Sequence, residues 1–169
     1  MDFMKIGVLS DTHEDVANFE IALAAYRAKG IIQVIHCGDM TTAATAQSLD
    51  GFKVVYVNGN MDQGLPEIYR TLRDLNSHNV VLPTYEGELE GVSIGVTHGD
   101  NENELRRLID SGAHQYVFHG HTHRRRDEMQ GSTRVYNPGA LGGLQFESRS
   151  YSMLELETGE ITLIELPAH

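Results

Sequence analysis

Five times along this chain a short apolar run ends in residues that can bind a cation. Lys5 to Ser10 runs into Asp11-Thr12-His13, Ile31 to His36 into Cys37-Gly38-Asp39, and Lys53 to Val57 into Asn58-Gly59-Asn60. Later, Val92 to Thr97 leads to His98-Gly99-Asp100, and Gln115 to Phe118 leads to His119-Gly120-His121-Thr122-His123. Short apolar runs bounded by turn residues read as strands. Residues just past a strand stand at the carboxyl edge of a sheet, where α/β folds assemble their sites. The pattern therefore requires a fold in which these strand exits meet. In the last cluster, two imidazoles separated by one residue project to the same side of an extended segment, and the preceding glycine lets the backbone approach what they hold.

The segments between the exits supply the rest of an α/β chain. From Asp15 to Lys29 the apolar positions Val16, Phe19, Leu23 and Tyr26 recur at steps of three and four, with Gly30 as a stop; this predicts an amphipathic helix. The first forty residues then form a strand, helix, strand unit with a parallel pair. Thr41 to Leu49 is alanine-rich and reads as a short helix, and Leu65 to Leu75 as another, with Pro66 in its first turn. Thr84 to Glu90 and Val92 to Thr97 flank a glycine-bearing break and predict antiparallel strands. Asn101 or Asn103 caps a helix that runs to about Ile109 and is closed by Gly112. Thr133 to Tyr136, Tyr151 to Leu156 and Ile161 to Leu166 read as strands, the last two joined through Thr158-Gly159 as a hairpin. The expected architecture is two sheets packed face to face with helices outside, in a single domain over residues 1–169, without repeat, linker or low-complexity tract.

Composition narrows the function classes. A formal charge of −11 argues against an extended nucleic-acid groove, which needs lysine and arginine in numbers, but leaves a small anionic substrate open. No apolar run approaches the roughly 20 residues that cross a bilayer, and Met1 to Ser10 does not resemble a signal peptide. A soluble, cytoplasmic protein is expected, with no membrane partner; a homo-oligomer stays open. Cys37 is the single cysteine, and between His36 and Gly38 it reads as a small buried filler. Arg124-Arg125-Arg126 reads as solvated hairpin residues, with contact to a substrate phosphate as the functional alternative.

Collected at the strand exits, Asp11, His13, Asp39, Asn60, His98, His121 and His123 form a ligand set larger than one tetrahedral ion takes. It suits two divalent ions sharing a carboxylate, and its mixture of imidazole, carboxylate and amide oxygen favours manganese, iron, zinc, nickel or cobalt, manganese first. The order Asp11-Thr12-His13, Gly38-Asp39, Gly59-Asn60-Met61-Asp62, His98-Gly99 and Gly120-His121-Thr122-His123 resembles the motif set of the calcineurin-like metallophosphoesterases. It is most similar to their minimal single-domain bacterial and archaeal phosphodiesterases, which carry a turn like Asn137-Pro138-Gly139-Ala140.

The resemblance implies a four-layer α-β-β-α fold of two mixed sheets, and hydrolysis of small phosphodiesters by hydroxide formed between two ions. By position it implies that Asp11, His13, Asp39 and His123 hold one ion and that Asp39, Asn60, His98 and His121 hold the other, with Asp39, Asn60 and Asp62 as catalytic residues. The chain departs from the pattern twice. Met61 stands where many relatives have a histidine that protonates the leaving group, which leaves Asp62 without an imidazole to orient, and Arg125 stands where a proline is common. The alternatives are a cyclic-nucleotide or dinucleoside-polyphosphate hydrolase, and a retromer-like scaffold of the same fold without activity.

Overall fold

The computed structural model describes residues 3–168. In chain order the first half contains β1 (Lys5–Leu9), α1 (Val16–Ala28), β2 (Gln33–His36), α2 (Ala43–Ala46), β3 (Lys53–Val57), α3 (Leu65–Leu75) and β4 (Val80–Leu82). The second half contains β5 (Thr84–Leu89), β6 (Val92–Thr97), α4 (Glu102–Asp110), β7 (Tyr116–Phe118), β8 (Arg126–Gln130), β9 (Thr133–Asn137), β10 (Ser150–Glu155) and β11 (Ile161–Glu165). One sheet has the order β11-β10-β1-β2-β3-β4, and the other β5-β6-β7-β9-β8. β1 through β4 run parallel, as do β6, β7 and β9; β10 and β11 in the first sheet and β5 and β8 in the second pair antiparallel to their neighbours. Both sheets are mixed.

Strand alternation builds the layers. In β1, Ile6 and Val8 point into a core between the sheets with Ile35, Val55, Ile94 and Phe118, while Leu9 points the other way, to Phe19, Leu23 and Tyr26 of α1. α3 presents Ile68 and Leu72, four residues apart, to that second core. α4 covers the outer face of the other sheet, where Leu108 and Ile109 meet Val117 and Val135. The result is helix, sheet, sheet, helix. Gly7 is required by close approach: a side chain there would enter the Tyr26 ring, whose hydroxyl donates to the carbonyls of Val8 and Ser152 at 3.2 and 3.0 Å. Tyr26 thereby fixes α1 against β1 and β10.

The expected elements are present with small differences of boundary, Asn101 is the cap of α4, and the Thr158-Gly159 hairpin joins β10 to β11. Thr41 to Leu49 divides into α2 and a 3-10 turn over Gln47–Leu49. Val16 is corrected: as the first residue of α1 it is 45% exposed, and Ala22 joins Phe19, Leu23 and Tyr26 on the buried face instead. Two strands escape sequence reading. β4 has three residues, and β8 is a charged edge strand, Arg126-Asp127-Glu128-Met129-Gln130, that starts at the last of the three arginines read as solvated hairpin residues; such charge is how exposed edges avoid pairing with other chains. Among the described residues no helix is long and apolar enough to cross a membrane.

Candidate metal centre

The loops that leave β1, β2, β3, β6 and β7 gather at one edge of the two sheets, with backbone bonds joining the exit of β1 to that of β2 and the exit of β6 to that of β7. Asp11 N–H donates to Gly38 O at 2.9 Å, His13 N–H to Asp39 O at 3.0 Å, and Gly120 N–H to His98 O at 2.9 Å. The turn after β9 joins them through Gly142 N–H to Asp11 O at 2.8 Å. Parallel strands send all these exits the same way, so the expected residues meet.

Their side-chain atoms converge closely. Asp11 Oδ1 lies 3.5 Å from His13 Nε2, 3.2 Å from His123 Nε2 and 4.0 Å from His98 Nε2. Asp39 Oδ2 lies 3.5 Å from His13 Nε2 and 3.1 Å from His98 Nε2, between the two. Asn60 Oδ1 is 3.1 Å from His98 Nε2, and the Nε2 atoms of His13 and His123 are 3.1 Å apart. His121 stands at the rim, exposed, its ring centroid 5.1 Å from that of His98. Two groups of potential ligand atoms fall within 4.8 Å of one another, Asp11 with His13 and His123, and Asp11 with Asp39 and His98.

The backbone is strained where it presents these groups. Asp11, His13, Asp39, His121 and His123 have φ of 53, 43, 62, 69 and 55°, a left-handed conformation costing a non-glycine residue of the order of 1 kcal/mol or more. Such conformations persist where the surroundings over-determine them. Asp62 provides part of that restraint. Its carboxylate accepts from the amides of Asp39 at 3.2 Å, Gly59 at 2.7 Å and Thr41 at 2.8 Å, and from the Tyr56 hydroxyl. Asp62 is thus filled by donors of the protein and ties the exits of β2 and β3 together. Gly59 leaves room for this, since a side chain there would collide with Asp39. Replacing Asp62 with alanine strands buried amides and a hydroxyl, and we expect a loss of about 2–4 kcal/mol in urea unfolding. A change below about 0.5 kcal/mol would show that Asp62 restrains nothing.

His36 is a site residue that sequence reading passed over. Fully buried, it accepts from the Gly38 amide at Nδ1, 3.1 Å, so that Nε2 carries the proton and donates to Thr12 Oγ1 at 2.8 Å. Burial, together with the charges of His98 and His13, lowers its pKa to about 3, against the opposing pull of Asp11 and Asp39, and keeps it neutral. It links the first two exits. The available signal was its parity with Val34 in β2, which turns it toward the helical layer.

The tautomers show what the cluster is suited to hold. His98 Nδ1 donates to Cys37 O at 2.7 Å and His123 Nδ1 to Leu144 O at 2.6 Å. In the neutral rings the Nε2 lone pairs therefore face carboxylate oxygens, and lone pair against anion requires a cation between them, either a proton or a metal. Burial opposes charge on His98, but the hydrogen bond with Asp39 and the charges of Asp11 and Asp39 push its pKa up to about 9. Asp11, chiefly, raises that of His123. Burial would raise the Asp11 carboxyl, yet His123, His13, His98 and Ser10 hold it far below the usual carboxylate range. Asp39 is lowered against its own burial, by His98 and then the Met61 amide. Among the described residues Asp11 Oδ1 is a buried oxygen without a hydrogen-bond partner. Orphaned oxygen, aimed imidazoles and an amide oxygen fit divalent ions of the transition-metal kind.

The chain belongs to the calcineurin-like phosphoesterase superfamily, whose domain profile matches residues 4–159. It is therefore a hydrolase of phosphoric esters from a metal-dependent family. Over 166 residues it is 29% identical to a phosphodiesterase of Methanocaldococcus jannaschii, covering 91% of this chain and 100% of that protein. Among solved structures, an archaeal phosphodiesterase at 29% identity superposes with a TM-score of 0.91 over 96% of this chain and 100% of that one. A phosphoesterase from E. coli, 21% identical, covers 97% of this chain and 100% of its own with a TM-score of 0.69. Vps29 of Entamoeba histolytica complexed with zinc, 20% identical, gives 0.69 over 95% and 90%. The last two share the fold.

Proposed function

We propose that the chain is a phosphodiesterase for small phosphodiesters whose centre takes two divalent ions, manganese before iron, zinc, nickel or cobalt. Asp11, His13, Asp39 and His123 would hold one, and Asp39, Asn60, His98 and His121 the other. The observation that carries this is Asp39 Oδ2, which stands 3.5 Å from His13 and 3.1 Å from His98, within reach of both ligand groups. When bound, such ions make a nucleophile of water near neutral pH and offset the charge of the phosphoryl oxygens. The residues of the chain perform the rest. His98 and His123 keep Nε2 free for ligation by donating Nδ1 to carbonyls. His36 and Asp62 act as positioning residues, holding the loops that carry Asp11, His13 and Asp39. The M. jannaschii relative, a phosphodiesterase matched along its whole length, supports the diester over the monoester.

Metal analysis together with turnover tests the reading. We expect bis(p-nitrophenyl) phosphate to be hydrolysed well ahead of p-nitrophenyl phosphate, dependent on added metal. Failure to retain metal, and no diester turnover with any of the five ions, would overturn it.

Met61 places a further expectation on leaving groups. Its amide donates to Asp39 Oδ1 at 2.8 Å, and its side chain, 45% exposed, lines a cavity beside His13. A thioether donates no proton, so the leaving oxygen departs unassisted by this position. Met61→His should raise kcat roughly tenfold or more on diesters with poor leaving groups and little on p-nitrophenyl esters. Equal effects on both at equal metal content would mean that position 61 does not face the leaving group.

A further inference from the structure

Two cavities open beside the cluster, and they differ in charge. One, of about 470 Å³, borders His121 and is walled by Arg106, Arg124, Arg125 and Arg126. The other, of about 650 Å³, borders His13 and Met61 and has no arginine or lysine in its wall, its charged side chains there being Glu14 and Glu67. In a chain of net charge −11, four of the 13 basic residues thus surround one opening. Two of them are already engaged: Arg125 lies 3.4 Å from Glu147 and 3.5 Å from Glu165, and Arg126 2.5 Å from Glu128. Arg106 and Arg124 are exposed and, among the described residues, paired to no carboxylate. The Arg124 guanidinium instead lies 4.5 Å from the centroid of the Phe146 ring, which is itself 6.4 Å from that of His123. An aromatic face holds a guanidinium in place without neutralising it.

We infer that this cavity is a subsite for a second phosphate group on the substrate, recognised by Arg106 and Arg124. The inference rests on the phosphodiesterase reading and adds polarity to it. A guanidinium matches a phosphate with two parallel hydrogen bonds. Glu102 and Asp110, also in the wall, moderate the field without pairing to either arginine, and Leu105 and Ile109 offer an apolar surface for the group that spans the two phosphates. On the far side, Glu14 and Glu67 disfavour an anion. The substrate class is therefore an asymmetric phosphodiester: one arm carries a second phosphate and lies toward His121, and the departing arm, without one, lies toward Met61.

Calorimetry on the metal-loaded protein tests this with thymidine 3′,5′-bisphosphate and thymidine 5′-monophosphate, which differ by one phosphate. The bisphosphate is expected to bind roughly tenfold or more tightly, an advantage that should fall below about twofold in the double variant Arg106→Gln, Arg124→Gln. Equal affinities, or an advantage that survives in the double variant, would overturn the subsite. Arg124→Lys, which keeps the charge but loses the fork, should retain part of the advantage and serves if the double variant folds poorly. Turnover of thymidine 5′-(p-nitrophenyl phosphate) is measured in parallel. No hydrolysis with any divalent ion overturns the phosphodiesterase reading, and the calorimetry still decides the subsite.

Discussion

Asp39→Asn should lose both ions and nearly all turnover. The substitution keeps size and shape, and the amide oxygen can still accept from the Met61 amide that now bonds Asp39 Oδ1 at 2.8 Å. What disappears is the negative charge between His13 and His98, 3.5 and 3.1 Å from their Nε2 atoms. Two divalent ions in neighbouring sites repel each other, and a shared carboxylate is the group that offsets this repulsion. Roughly a thousandfold or greater loss of kcat, about 4 kcal/mol, is expected, with metal content falling toward zero from the two per chain proposed. The Asp39 backbone amide still reaches Asp62, so the fold should survive. A variant that binds two ions tightly and turns over normally would show that Asp39 is a turn residue and not a bridge.

The second large effect concerns pH, and its sign differs between the metal-free and metal-loaded protein. His98 has a pKa near 9 and that of His123 is raised as well, both through the carboxylates they face. A group whose folded pKa lies above its unfolded value stabilises the fold fully below the unfolded pKa and ceases to do so as pH rises through the folded one. The metal-free protein should therefore lose thermal stability between about pH 6.5 and 9. Metal competes with the same protons, so apparent affinity should rise across that window, with proton release seen in calorimetry with buffers of different ionisation enthalpy. Activity should fall below about pH 6 as these imidazoles protonate and metal leaves. Asp11 and Asp39, held low, stabilise above the ordinary carboxylate range and fail only as pH falls through their lowered values. A metal-free protein whose thermal midpoint stays flat from pH 6.5 to 9, or metal binding without proton release, would count against these assignments.

Sequence pattern was enough for the helices and for every strand except β4 and β8, and it selected Asp11, His13, Asp39, Asn60, His98, His121 and His123 as the candidate ligands of one site. Both follow from local physics: apolar period marks a strand, glycine marks its exit, and parallel strands joined by helices send their exits to one edge. β8 was invisible because its pairing depends on β9 and not on apolar side chains of its own. The charge-rich run at Arg124 to Arg126 could not be divided by sequence either; only the positions of Glu147, Glu165, Glu128 and Phe146 separate neutralised arginines from the available Arg124. Asp62 lost its expected imidazole partner at position 61, yet the fold gives its carboxylate three amides and a tyrosine. His36, the carbonyls of Cys37 and Leu144, and the left-handed backbone at five of the proposed ligands were decided by tertiary structure alone. A residue's chemical type is encoded one position at a time, whereas its tautomer, charge and strain are set by neighbours that lie up to more than a hundred residues away, as Asp11 lies from His123.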